Sequence, residues 1–223
     1  MVLFFEGSFM KLNRHLALAW SVAALAIIAA ILAFHEQQRI RAKYLLLARR
    51  TEQRSAIILA QAANANRPIV VFGDSITEQA KLPQSVCGHA MVNAGISGAQ
   101  TFQLISVAEE LAKEARPFIS IVALGINDVR ANNENFETDY SNLLNTMQGT
   151  VVLVGLTKAR GEKTEGTNSA IERIAAERHL HFIRQDDVRY GPDGLHPDES
   201  NSAIWVRNIV AGTRQICGEN AGG

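Results

Sequence analysis

Ser75 stands in the stretch Gly73-Asp74-Ser75-Ile76-Thr77-Glu78, and His196 far downstream in Asp193-Gly194-Leu195-His196-Pro197. A serine hydroxyl is a weak nucleophile until a base accepts its proton, and a histidine is the usual base. Asp193, three residues before His196, suits the third role: it orients the imidazole through its other nitrogen and stabilises the imidazolium. Attack on an acyl carbon also requires donors aimed at the developing oxyanion. Candidates are the backbone N–H of Ser75, that of Gly98 in Asn93-Ala94-Gly95-Ile96-Ser97-Gly98, and the side-chain amide of Asn127 in Gly125-Ile126-Asn127-Asp128. Glycine at 98 lets the backbone approach a substrate closely, and Asn127 donates through an NH2 that an aspartate lacks. Arg130, with Asn132 and Asn133, follows the third stretch and is a candidate for lining a substrate cleft.

Each piece has a plainer reading. Ser75 fits a helix N-cap, Asn127-Asp128 a turn, Gly95 and Gly98 loop punctuation, and Asp193 with His196 a capping pair at a helix start. Their order and their placement decide otherwise. Short apolar runs closed by glycine, Ile69–Phe72, Phe118–Leu124 and Thr150–Val154, read as buried strands. Ala90–Val92 and His181–Ile183 add two more candidates. Amphipathic patterns over Thr101–Ala115 (Phe102, Ile105, Ala108 and Ala112 on one face), Asn135–Met147, Asn168–Arg178 and Glu199–Ile216 lie between and after them. Strand alternating with helix predicts a parallel sheet covered on both faces, a three-layer α/β/α, doubly wound domain. Ligands in such sheets bind beyond the carboxyl ends of the strands, where each of the four stretches falls.

These four blocks resemble those of the SGNH hydrolases, also called GDSL esterases and lipases. The resemblance covers residues 68–213, with Ser75, Gly98, Asn127 and His196 at the name-giving positions. It implies a flavodoxin-like fold and carboxylic ester hydrolysis without metal or organic cofactor. It also implies that Ser75, His196 and Asp193 act as nucleophile, base and orienter, with Ser75, Gly98 and Asn127 as the oxyanion hole. Ile76 replaces the leucine of the GDSL signature. No Gly-x-Ser-x-Gly elbow surrounds Ser75, so the α/β-hydrolase class is not supported.

The chain has 223 residues, with 22 basic and 22 acidic side chains. Zero net charge argues against a nucleic-acid binder driven by phosphate neutralisation. The charge is segregated: residues 36–67 carry seven basic and two acidic side chains, residues 68–223 thirteen and nineteen. Leu16–Phe34 is nineteen uncharged residues, roughly 28 Å as a helix and close to the thickness of a bilayer core. The reading is therefore an N-terminal flank over 1–15, a transmembrane anchor or uncleaved signal over 16–35, and a basic helical spacer over 36–67. A hydrolase domain over 68–217 and a flexible tail over 218–223 complete it. Met10-Lys11-Leu12-Asn13-Arg14 also resembles a start of its own. The basic residues after the apolar run favour a cytosolic domain by the positive-inside rule, whereas a short basic start before it is how export signals begin; export is the expectation.

Two cysteines, Cys87 and Cys217, exclude a disulfide-dense scaffold and a four-cysteine zinc site. In an exported domain they are expected to pair, tying the C-terminal end to the loop before the second strand; otherwise they are two separate thiols. His179 and His181 lack a nearby third ligand, so no metal site is expected. The short, polar Leu156–Thr167 stretch has no evident lid. The expected function is hydrolysis of short acyl esters, such as O-acetyl groups on carbohydrate or small alcohols. Three alternatives stand beside it: O-acyl transfer by the same triad, lysophospholipid or thioester hydrolysis, and a non-catalytic polysaccharide-binding module.

Overall fold

The computed structural model describes residues 6–218. Residues 1–5 of the expected N-terminal flank and 219–223 of the expected tail lie outside them. Two compact units part between Arg50 and Thr51.

The first unit holds most of helix α1 (Glu6–Ala63). Within it Ala19–Ala42 is long and apolar enough to cross a bilayer, and Trp20, Leu25, Ile28 and Leu32 are exposed. Length and composition of this kind are shared by membrane anchors and export signals.

The second unit is built on six strands: β1 (Ile69–Gly73), β2 (Ser85–Val86), β3 (His89–Gly95), β4 (Ile119–Ala123), β5 (Thr150–Val154) and β6 (His181–Ile183). Their order is β2-β3-β1-β4-β5-β6. All neighbours are parallel except β2, which runs antiparallel to β3. The five parallel strands match the expected ones. The two-residue β2 carries too little apolar pattern to be seen in the sequence. It exists because Cys87 and Gly88, with φ of 54° and 77°, make a tight hairpin turn.

Around the sheet lie α2 (Ser75–Gln79), α3 (Ile105–Glu114), α4 (Ile126–Arg130), α5 (Phe136–Thr146), α6 (Thr164–Glu177) and α7 (Glu199–Ile216). Side chains alternate across the strands, giving two cores. Val70, Phe72, Val122 and Leu153 pack with α3, α5, α6 and two residues of the end of α1, Ile58 and Ala62. Ile69, Val71, Ile121 and Val152 pack with Trp205 and Ile209 of α7. This is a three-layer, flavodoxin-like α/β/α sandwich. The chain leaves β1 toward β3 on one side and later returns to β4 on the other, so the topological switch point lies at the carboxyl end of β1.

Two helices differ from the sequence reading. Thr101–Leu104 is a 3-10 turn leading into α3, and Phe102 is 48% exposed rather than facing the core with Ala108 and Ala112. A 3-10 turn advances about 120° per residue instead of about 100°, which puts position 102 out of phase with the α-helical stripe. Helix α6 begins at Thr164, four residues before the expected Asn168. Asn168 is not a helix start; its amide brackets the backbone of Leu156, accepting from N at 2.6 Å and donating to O at 3.2 Å.

Cys87 and Cys217 form a disulfide, fastening the end of α7 to the β2–β3 turn. Cross-linking residues 130 apart in sequence restricts the unfolded chain.

Candidate active site

Strand β1 is buried along its whole length and ends at Gly73 beside β3 and β4. Asp74 caps α2: its carboxylate accepts from Ile76 N at 2.9 Å, and its carbonyl accepts from Glu78 N at 2.9 Å. The capping role expected as the plain alternative for Ser75 thus falls to its neighbour, and the Ser75 hydroxyl is left for other partners. The first turn of α2 lies directly on the end of β3. A Cβ at Gly95 would stand 2.2 Å from Glu78 N, so only glycine admits this approach. Ser75 is 8% exposed.

Ser75 Oγ lies 2.8 Å from His196 Nε2, and His196 Nδ1 lies 2.6 Å from Asp193 Oδ2. An ionised carboxylate only accepts, so Nδ1–H donates to Asp193 and Nε2 is free to accept from the serine hydroxyl. The other oxygen of Asp193 accepts from Leu195 N and His196 N, both at 2.9 Å. These backbone donors, the Leu195 N–H foremost, together with the imidazole hold the Asp193 carboxyl down at about 2. Asp193 is not a helix cap; α7 is capped by Asp198, which accepts from Asn201 N at 2.9 Å. The loop is fastened by Gly191 N donating to His196 O at 2.7 Å and Arg160 N donating to Gly194 O at 2.6 Å.

Gly98 is exposed with φ of 77°, a backbone conformation that favours glycine, in the loop after β3. Ile96 N donates to Gly73 O at 3.0 Å, joining the start of that loop to the end of β1. Asn127, in the first turn of α4, donates from Nδ2 to Ala99 O at 3.0 Å. That bond sets the amide beside the Ala99–Gln100 peptide, one residue after Gly98, and uses one of its two hydrogens. Buried Asp128 reinforces the junction, accepting from Thr101 N at 3.1 Å, Thr101 Oγ1 at 2.9 Å and Asn133 Nδ2 at 2.9 Å. Thus Ser75 and His196 touch directly, and Asn127 is joined to the loop bearing Gly98.

Arg130 is exposed, its Nε 3.5 Å from Glu162 Oε1. Glu162, but not Arg130, lines a polar cleft of about 570 Å³, together with Asp128, Asn132, Asn133, Lys163 and Thr167 among others. A second, more apolar groove of about 720 Å³ runs along α7 past Pro197, between Pro83, Val206 and Val210, with the Lys81–Glu199 ion pair at its edge.

Asp74 sits fully buried near the imidazole. Burial pushes its carboxyl up to about 6, opposed by the Ile76 N–H and by the nearby His196. Asn93 and Glu78 lie in blocks singled out in the sequence, yet no role was legible for them. Asn93 donates to Thr77 O at 2.6 Å and accepts from Gly95 N at 3.0 Å, and Glu78 accepts from Ser97 N. Asn93 thereby ties β3 itself to α2, and Glu78 ties the loop after β3 to α2. Arg54, from the end of α1, reaches the same place, and nothing in its local sequence signals it.

No family model matches the chain, and no curated protein does. Solved structures do. The acetylxylan esterase Axe2 from Geobacillus stearothermophilus is 19% identical with a TM-score of 0.54, over 66% of this chain and 93% of its own. A GDSL-like lipase from Bacteroides thetaiotaomicron is 20% identical with a TM-score of 0.55, over 69% and 88%. The chain shares its fold with these two ester hydrolases, in keeping with the α/β/α architecture that the resemblance of the four sequence blocks implied.

Proposed function

We propose that the protein is a membrane-anchored serine hydrolase that cleaves short acyl esters. The carrying observation is the hydrogen-bonded chain from Ser75 Oγ through His196 to Asp193, at 2.8 and 2.6 Å. Ser75 Oγ attacks the ester carbonyl as His196 Nε2 takes its proton. The oxyanion accepts from the N–H groups of Ser75 and Gly98 and from the second hydrogen of the Asn127 amide. Collapse of the intermediate releases the alcohol, which leaves with the proton from His196. Water, deprotonated by the same nitrogen, then cleaves the acyl-enzyme and frees the acid. Asp193 holds the ring in the required tautomer and stays ionised.

The polar cleft that Asp128, the residue after Asn127, helps to line supports a hydroxyl-rich alcohol portion, such as a carbohydrate, with its amide, carboxylate and ammonium groups as partners. The disulfide supports placement of the domain in an oxidising compartment, outside the cytosol, with the Ala19–Ala42 segment as anchor.

The test compares p-nitrophenyl acetate, butyrate and longer esters with wild type and Ser75→Ala. Activity on acetate falling with chain length and absent from Ser75→Ala is expected. Activity surviving in the variant dismisses the nucleophile, and a profile rising with chain length dismisses the short-acyl preference.

A further inference from the structure

Strand β3 has an open edge beside the candidate oxyanion loop. Its partner β2 pairs with His89 and Ala90, and Met91 N donates to Gln84 O just before it, so that β2 stops short of Asn93. Successive strand residues turn their N–H and C=O groups to opposite edges. Ile96 N bonds Gly73 O on the β1 side, so Ala94 also faces β1, and Asn93 and Gly95 face the open edge. Unpaired carbonyls there would leave the strand end free to shift.

Arg54 fills that edge. Its Nε donates to Gly95 O at 3.0 Å and its Nη2 to Asn93 O at 2.9 Å. Gly95 N, an edge donor, is taken by the Asn93 side chain at 3.0 Å. Gly95 is buried and Arg54 half-buried, and Ile58, one turn further along the helix, is fully buried in the core. A guanidinium presents its donors as a rigid planar fork, which a lysine ammonium does not reproduce.

We propose that Arg54 is a positioning residue for catalysis: its fork across Asn93 and Gly95 fixes the strand end from which the Ile96–Gly98 loop departs. The inference rests on the esterase reading, in which Gly98 N–H faces the oxyanion. Donors in an oxyanion hole act only when held at the correct distance, and a displacement of about 1 Å can cost on the order of 100-fold in rate. Arg54 acts through the strand end, its Nε and Nη2 spent on Gly95 O and Asn93 O, so its loss is felt in kcat and not in substrate binding.

The experiment uses the full chain in detergent and compares wild type, Arg54→Ala and Arg54→Lys on p-nitrophenyl acetate. Ser75 is titrated with a fluorophosphonate, and amide exchange is followed over the segment 93–99. Arg54→Ala is expected to lower kcat per titrated site about 10- to 100-fold with KM within about 2-fold. Arg54→Lys recovers less than half of the loss, methylguanidinium restores part of the Arg54→Ala rate, and exchange over 93–99 rises. Unchanged kcat per titrated site overturns the proposal, as does a loss accompanied by unchanged exchange over 93–99. If wild type and Ser75→Ala hydrolyse the ester equally, the esterase reading fails instead. The exchange data then still decide whether Arg54 holds the strand end.

Discussion

The two halves of the candidate triad are held by different physics. Ser75 comes from the centre of the sheet, at the end of a fully buried strand, on a helix turn pressed against Gly95. Asp193 and His196 come from a surface loop after the edge strand β6, where the Asp193 side chain is 53% exposed. Core packing fixes the nucleophile; two backbone N–H bonds to one carboxylate oxygen fix the orienter. The difference teaches that a base can be placed by local turn chemistry, because its imidazole finds its register through hydrogen bonds at both nitrogens. The nucleophile has no such local device and depends on the whole sheet.

This contrast can be broken from either side. Ser75→Ala removes the attacking atom and leaves the packing; activity is expected to fall about 10⁴-fold or more with little change in melting temperature. Asp193→Asn keeps the turn acceptor but loses the charge that favours the imidazolium. A kcat decrease of about 10³-fold is expected, again with the fold intact, and circular dichroism melting checks the second half of the claim. Gly95→Ala attacks the core-held side. The new Cβ collides with the α2 backbone, and about 3 kcal/mol of unfolding free energy is expected to be lost in a denaturant titration. A variant as stable as wild type would show that α2 is free to retreat from β3.

Asp74 sharpens the comparison with the smallest effect. Its carboxyl is raised to about 6, so the folded state holds a proton that the unfolded chain releases near 3.8. The native state binds more protons across that window, so Asp74 makes stability fall as pH rises from about 4 to 6. Asp74→Asn keeps a capping oxygen and removes this titration. It is expected to gain about 2 kcal/mol over wild type above pH 6 relative to its standing at pH 4, read from unfolding at the two pH values. Asp193 has the opposite sign: its carboxyl, lowered to about 2, contributes stability that is lost only as pH falls below the ordinary aspartate range toward 2.

Much of the fold was legible because β1, β4 and most of β5 are buried on both faces and so read as continuous apolar runs closed by glycine. The four blocks were legible because each is a short stretch at a strand end, its residue types set by local chemistry. Phe102 was misplaced because one 3-10 turn shifts the phase of a helix, and a two-residue strand such as β2 has no periodicity to read. The end of α1 shows the same limit. Composition joins residues 51–63 to a basic spacer, yet Ile58 and Ala62 are buried in the core and Arg54 bonds β3. Two apolar positions four apart are too narrow a stripe to announce a buried face.

By itself, the amino-acid order determined the alternation of strands and helices, the apolar segment and the residue types able to perform acyl chemistry. Those are consequences of local periodicity and of functional groups. That Ser75 meets an imidazole 121 positions away, that two cysteines join, and that a helix arginine closes a strand edge were decided only by the tertiary structure. Such contacts depend on where strand order and crossover direction carry each loop, which no local stretch of chain encodes.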